Sequence, residues 1–433
     1  MNTPHVVIVG AGFAGVAARS RLLKAGYRVT LIDQHPYNTF QPLLYQVATG
    51  GLNPGDVTFP IRNLSGPNRR LSRYRRSKVV GVDTDAQEVI CSDGAHVGYD
   101  YLLLSVGVAA NYFGTPGVAE YSVSLYTRAD ALQARDMLFG GFERLAAQPD
   151  SRDREFTVVV VGGGPTGVEM AGTLAEMRDV GMPRSFPELD PAKIRVVLVE
   201  MAPQLLTPFH PSLQQYTKRQ LEKRHVDVRL DTAIAKVHHD RVEFGDGSCL
   251  DTDLVVWAAG VGGRDEVKQW GFEIGRGGRL VVEDDYRVRG HDNVFAAGDA
   301  AVSANDPQPQ LAQPAMQMGK HVAQQIQRLE AGQPTEAFHY ADRGSMATIG
   351  QLSAIVEFPN GARFTGPLAW LLWIAVHLMY LLGGRNRIST MFNLSARYLT
   401  FRRTGAIVGD VLDTPAEVGR TTSDPNQEAE SSG

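Results

Sequence analysis

Cysteine is almost absent from this 433-residue chain. The two that occur, Cys91 and Cys249, are far apart and in unrelated contexts, which excludes a disulfide framework and a CxxC redox pair and fits a reducing compartment. Charge of one sign is missing too. Against 47 Asp and Glu stand 43 Lys and Arg, and the formal net charge of −4 gives no footprint for nucleic acid. No apolar run is long enough for a confident membrane-spanning helix. The strongest candidate, Leu368–Leu382, extends roughly 22 Å at ~1.5 Å per residue, against a ~30 Å bilayer core. The histidines, including His238-His239, lack metal-ligand spacing, so no metal is expected, and no Ser–His–Asp set or paired carboxylate stands out. MNTPHVVIVG enters a strand at once and leaves no room for a signal peptide, so the protein is expected to stay where it is made.

Glycine, at 45 residues, is plentiful, and the length suggests two or three domains. HVVIVGAGFAGVAARSRLLKAGYRVTLID reads as strand, turn, helix, strand. Gly10 permits the tight turn, Gly12 lets backbone approach a pyrophosphate, and Gly15 lets helix pack on strand. Asp33 closes the second strand, where it can accept from a ribose hydroxyl, and the helix N-terminus favours the phosphate charge. The pattern recurs in FTVVVVGGGPTGVEMAGTLAEM and IRVVLVE, with Gly162, Gly164, Gly167 and a terminal Glu200. A carboxylate there suits the ribose of NAD and repels a 2′-phosphate, so NADH is expected over NADPH. Two fingerprints indicate two dinucleotides. A short strand, Asn293–Ala297, then ends in Gly298-Asp299, and with two fingerprints upstream Asp299 reads as a partner for a flavin ribityl hydroxyl rather than a plain turn cap.

The order VVIVGAGFAG, YDYLLLSVGV, VVVVGGGPTGVEMAG, LVVWAAGVGG and NVFAAGDAA resembles the two-dinucleotide-binding-domain flavoproteins. FQPLLYQVATGGL, LAQPAMQMG and SMATIGQ resemble, more narrowly, the type II NADH dehydrogenases, which are single-subunit, non-pumping NADH:quinone oxidoreductases. The resemblance covers roughly the first 400 residues. It implies FAD at Gly10, Gly12, Gly15, Asp33, Gly298 and Asp299, with Thr49 and Ala312 also among the cofactor-binding residues. NADH goes to Gly162, Gly164, Gly167 and Glu200. Glu169 matches the family's carboxylate near the nicotinamide, the plainer reading being an acid favoured by the helix N-terminus. Quinone is implied at Gln313 and Gln317, four apart on a helix that Pro314 opens, whose dipole would favour the reduced flavin's negative charge; simple helix capping is the alternative. Two residues depart from the family's usual pattern: Ser105 in SVG, where ATG is commoner, and Met318, where a second glutamine is common.

The C-terminal region bears on the electron acceptor. LAWLLWIAVHLMYLL is followed by Gly383-Gly384 as a terminator and then by ISTMFNLSARYLTFRR. The second segment places Ile388, Met391, Phe392, Tyr398 and Leu399 on one face, with Arg397, Arg402 and Arg403 among the polar positions, as an interfacial helix on a lipid bilayer would. Trp370, Trp373 and Tyr380 suit a membrane boundary, or else a helix pair buried in the core or against a second copy in a homodimer. The basic run Asn68–Val79 reads as a solvated face.

The expected fold is α/β: two Rossmann-like dinucleotide-binding domains plus a C-terminal membrane-facing helical segment. The FAD domain is drawn from residues 1–120 and 275–335, the NADH domain is 155–272, the membrane-associating region is 336–412, and 413–433 form a disordered tail. The expected activity passes a hydride from NADH to FAD and two electrons to a membrane quinone. The expected location is peripheral, on the cytoplasmic side of a prokaryotic inner membrane. The alternatives are a soluble NADH-dependent reductase of a small iron–sulfur protein and a redox-sensing flavoprotein. The scarcity of cysteine argues against disulfide and sulfide:quinone reductases, which pass electrons through thiols.

Overall fold

The first glycine turn joins β1 (His5–Val9) to α1 (Phe13–Lys24), and β2 (Arg28–Asp33) returns beside β1 in parallel register. The computed structural model describes residues 3–64, 70–148, 152 and 154–400. Val6, Val7 and Ile8 are buried on both faces of β1, as befits a parallel strand covered by helices. The sheet has five parallel strands in the order Val294–Ala296, Tyr101–Leu104, β1, β2, Ser72–Arg76. Distant parts of the chain thus share one sheet. After β2 the chain forms a short helix, α2 (Leu44–Ala48), all of whose residues are buried.

The second half repeats the plan. α3 (Arg128–Ala147) precedes β3 (Phe156–Val161), whose six residues are all buried, then α4 (Pro165–Glu176) and β4 (Ile194–Val199). The sheet runs Val123–Ser124, Leu254–Trp257, β3, β4, Val226–Arg229, again all parallel. Its edge strand Val123–Ser124 comes from a stretch that sequence reading assigned to neither dinucleotide unit. The long insert after α4 folds as a π-helical turn (Met177–Gly181), a helical turn (Met182–Ser185) and a 3₁₀ turn (Pro191–Lys193), anchored by buried Phe186 and Leu189.

α5 (Ala312–Glu330) crosses α1 so closely that a Cβ at Gly319 would lie 2.1 Å from the Ala14 carbonyl oxygen. The chain then forms an antiparallel sheet from β5 (Ser345–Gly350), β6 (Ser353–Glu357) and Arg363–Thr365. β5 lies against α4, where a Cβ at Gly172 would meet the Ile349 carbonyl oxygen at 2.2 Å. Two helices end the described chain, α6 (Gly366–Tyr380) and α7 (Gly384–Thr400). Gly383 makes the turn between them at φ +83°, so Gly384 opens the second helix as well as ending the break. No helix among the described residues is long and apolar enough to cross a membrane. Arg402, Arg403 and the tail expected at 413–433 lie outside the described residues.

Candidate functional site

The glycine turns divide their labour as the spacing predicts. Gly10 sits at φ +102° and Gly162 at φ +112°, and each donates its N–H across to the neighbouring strand, to Ile32 and Val199, at 2.8 Å. A Cβ at Gly15 would lie 2.0 Å from the Gly10 carbonyl oxygen, and one at Gly167 would lie 1.8 Å from that of Gly162. At Gly12 and Gly164 an added Cβ meets nothing within 4 Å. The first and third positions are closed by the protein itself, and the middle one faces open space. Both terminal acids grip the turn they serve. Asp33 accepts from the Ala11 N–H (2.7 Å) and the His35 N–H (2.8 Å), while Glu200 accepts from Gly163 (2.5 Å) and Ala202 (2.7 Å). A carboxylate offers about four acceptor positions, so each retains capacity for a ribose hydroxyl. Burial pushes Asp33 above its usual range, against the pull of the Ala11 and His35 N–H groups.

The helices differ in how their N-termini are capped. α3 opens with a full capping box in which Thr127 and Asp130 satisfy each other's backbone N–H groups. α1, α4 and α5 open on Gly12, Gly164 and Leu311 with no side-chain cap and no acid in the first turn. Their free N–H groups and dipoles suit an external anion. A cavity beside the first turn is lined by Gly10, Asp33, His35, Lys78, Arg264 and Trp270 among others, and the buried Trp270 Nε1 lacks a partner among the described residues. These features fit an adenine dinucleotide. Asp299, in the 3₁₀ turn Gly298–Ala300, accepts no hydrogen bond from the described residues, and burial raises its carboxyl to about 6 against the opposing charge of Arg279. Gly298 lies beneath it at φ +73°, and its N–H meets the Met318 sulfur at 3.3 Å.

The two glutamines are not equivalent. Gln317 exchanges two hydrogen bonds with the Ala341 backbone, at 2.9 and 3.0 Å, which ties α5 to the segment leading into β5. One N–H and one lone pair of its amide are thus used by the backbone, and the second N–H and second lone pair are left over. Among the described residues Gln313 makes only a long contact to the Gly344 carbonyl (3.5 Å), and its buried Oε1 has no partner there. Ala312 is the first residue of α5. Thr49 is fully buried, with its hydroxyl donating to the Tyr45 carbonyl at 2.9 Å.

Glu169 lies in the second turn of α4, past the free N–H groups of its N-terminus. Burial pushes its carboxyl up to about 8, opposed by the Thr348 N–H (3.3 Å) and the Trp373 indole. Seven residues on, and so on the same face, Glu176 pairs with Arg397 of α7 at 2.6 Å. Arg397 departs from the polar position expected for it, and the tryptophans take the buried one of their two alternatives. Arg397 is 5% exposed and turned inward, and Trp370 (8%) and Trp373 (1%) are sealed against the protein. Trp373 stacks on His377 with ring centroids 3.9 Å apart, and burial lowers that imidazole to about 4. The outer face belongs instead to Leu368, Leu371, Met379, Ile388, Met391 and Phe392, each between 46% and 66% exposed. Asp56, unnoticed in the sequence, holds α7 in place by accepting from Ser389 and Asn393, both at 2.7 Å. Spacing along α4 could have pointed to Glu176; nothing local points to Asp56.

Comparison with known proteins agrees with this architecture. Residues 4–319 match the pyridine nucleotide-disulphide oxidoreductase family, and residues 343–403 match the NDH2 C-terminal domain. The chain is 35% identical over 415 residues to the type II NADH:quinone oxidoreductase Ndh of Mycobacterium tuberculosis, covering 92% of this chain and 89% of that one. NDH2 from Plasmodium falciparum, solved with NADH, superposes with a TM-score of 0.85 at 20% identity, covering 92% and 98% of the two chains. The sulfide:quinone oxidoreductase of Aquifex aeolicus shares the fold at a TM-score of 0.72 and 18% identity, covering 92% and 94%, so the fold alone does not separate the two chemistries. The thiols bear on that point: Cys91 is buried in one small sheet and Cys249 exposed in another. With two dinucleotide turns, no thiol pair and the matching C-terminal domain, this chain belongs to the type II NADH:quinone oxidoreductases of the pyridine nucleotide-disulphide oxidoreductase family.

Proposed function

We propose that the protein oxidises NADH with FAD at the first turn and delivers the electrons to a quinone held in the bilayer. The observation that carries this is the combination of two uncapped nucleotide turns with an apolar outer face on α6 and α7. FAD, when bound, accepts hydride from the nicotinamide and passes two electrons onward; the protein's part is alignment and electrostatics. Gly12 and the α1 N-terminus take the FAD pyrophosphate, Asp33 the adenosine ribose and Asp299 the ribityl chain, while Gly164 and Glu200 do the corresponding work for NADH. Glu169, protonated at neutral pH by its burial, holds a proton on the nicotinamide side without adding charge to an apolar interior. Gln313 offers the unpartnered amide oxygen toward the quinone side, and Gln317 acts as a positioning residue through Ala341. The exposed Leu, Met, Ile and Phe side chains of α6 and α7 dip into the acyl boundary on the cytoplasmic face of a prokaryotic membrane, and the transfer is non-electrogenic.

A soluble reductase or redox sensor has no use for this apolar face, whose exposure a soluble protein would ordinarily avoid. The test is direct. The purified protein should be yellow, release FAD on denaturation, float with lipid vesicles, and oxidise NADH much faster with a quinone than without. Colourless folded protein, or a preference for NADPH, overturns the assignment of the two turns. Flavoprotein that stays in solution overturns the membrane assignment alone.

A further inference from the structure

Arg397 faces inward and offers no charge to a lipid surface, whereas other cations stand near the end of α6. A cleft runs along α1 between α5 and the end of α6; one end is lined by Gly12, the turn assigned to FAD, and the rest by Val16, Met316, Tyr380 and Leu382 among others. The whole cleft, its Gly12 end included, has a volume of about 460 Å³, more than ten times the ~30 Å³ share of one water. Arg21, Lys24 and Lys320 stand at its rim, all exposed. No carboxylate lines it, and none of the three cations joins an ion pair among the described residues. Helix dipoles do not account for the set. Arg21 and Lys24 occupy the last turn of α1, where a cation is favoured, but Lys320 sits mid-helix in α5. Arg385, three residues beyond Leu382, lies in the first turn of α7, where a cation is disfavoured unless an outside anion compensates. Tyr380 lies on the same helix as the exposed Leu368, Leu371 and Met379.

We propose that this cleft receives the phosphate headgroup of an anionic phospholipid in the bilayer, with Arg21, Lys24 and Lys320 as its counter-charges and the acyl chains running along Tyr380 and Leu382. Apolar lining beneath a cationic rim matches the two ends of such a lipid. The proposal rests on the membrane-docking assignment and adds a lipid preference located at one site.

The experiment is flotation of full-length flavoprotein with vesicles of phosphatidylcholine alone or mixed with phosphatidylglycerol. Wild type is compared with the triple variant Arg21→Gln/Lys24→Gln/Lys320→Gln and with a control, Arg219→Gln/Lys223→Gln/Lys236→Gln, which removes as much charge from the other half. A cation at an anionic surface contributes about fivefold in partitioning, so the cleft triple should lose on the order of a hundredfold in affinity for the anionic vesicles. It should match wild type on phosphatidylcholine and in NADH oxidation with a water-soluble quinone. Wild-type binding by the cleft triple, or an equal loss in the control, overturns the site. A raised KM for a long-tailed quinone with unchanged vesicle binding would hand the cleft to the quinone tail and overturn it too. If wild type floats with neither vesicle, the membrane assignment fails first; if it floats equally with both, only the lipid preference fails.

Discussion

The two glycine turns are nearly superimposable in their local chemistry and differ in what lies behind them. Each has a first glycine at positive φ, a third glycine pressed on the carbonyl of the first, and an acid gripping the turn. Behind the first, the Ser105 hydroxyl donates to the carbonyls of Val9 (3.0 Å) and Gly10 (2.9 Å), and α1 is locked against α5 at Ala14 and Gly319. Behind the second, Ala258 takes the place of Ser105, and α4 carries Glu169 and Glu176 toward β5, α6 and α7. The first turn is braced within its own half. The helix of the second is the mechanical link to the C-terminal pair.

The largest effects should come from breaking what the turns share. Gly15→Val and Gly167→Val force a side chain into a carbonyl already within 2.0 and 1.8 Å of Cβ, so each should prevent recovery of folded flavoprotein. Gly12→Ala and Gly164→Ala, which enter open space, should leave the circular dichroism intact. The first should weaken flavin retention and the second should raise only the KM for NADH. If both lose flavin equally, the assignment of one cofactor to each turn is wrong.

Next comes the link carried by the second helix. Arg397→Met takes the opposing charge away from the half-buried Glu176, which still accepts from the Gln351 N–H, and denaturant unfolding should show a loss of about 3–5 kcal/mol, largely recovered when Glu176→Gln is added. Glu169 makes the same helix sensitive to pH. Its folded pKa, about 8, lies above the unfolded value near 4.5, so the folded state binds the extra proton and stability should fall as pH rises through that interval. Glu169→Gln should flatten that decline in thermal melts between pH 5 and 8.5. A steeper decline in the variant would reverse the sign of the argument.

Smaller effects separate the acids and the brace. Glu200→Ser should move the NADPH-to-NADH ratio of kcat/KM about tenfold toward NADPH, roughly 1.4 kcal/mol, with no change in flavin content. Ser105→Ala should cost the first half only about 1 kcal/mol, since the second turn does without the hydroxyl. A much larger loss would mean that Ser105 also contacts the cofactor.

Most of both turns was legible from residue order, because their requirements are local: a positive φ, a crowded carbonyl, an acid one strand away. The C-terminal pair was legible as an apolar segment followed by an amphipathic one, but not in orientation. Trp370, Trp373 and Arg397 are as apt for a membrane interface as for the interior, and pairing between Arg397 and Glu176, more than two hundred residues apart, leaves no periodic trace. Gln317 shows the same gap. Four-residue spacing put it beside Gln313, while only the path of the 341–344 segment revealed that its amide was already engaged.

Residue order alone therefore determined the doubled nucleotide-binding plan, the acid at each strand end and the scarcity of thiols. Tertiary packing decided which glutamine keeps a free oxygen, which C-terminal face turns outward, and which cations gather at the rim between α1 and α5. The reason is range: backbone geometry is set within a few residues, whereas burial and charge pairing depend on whatever the rest of the chain brings alongside.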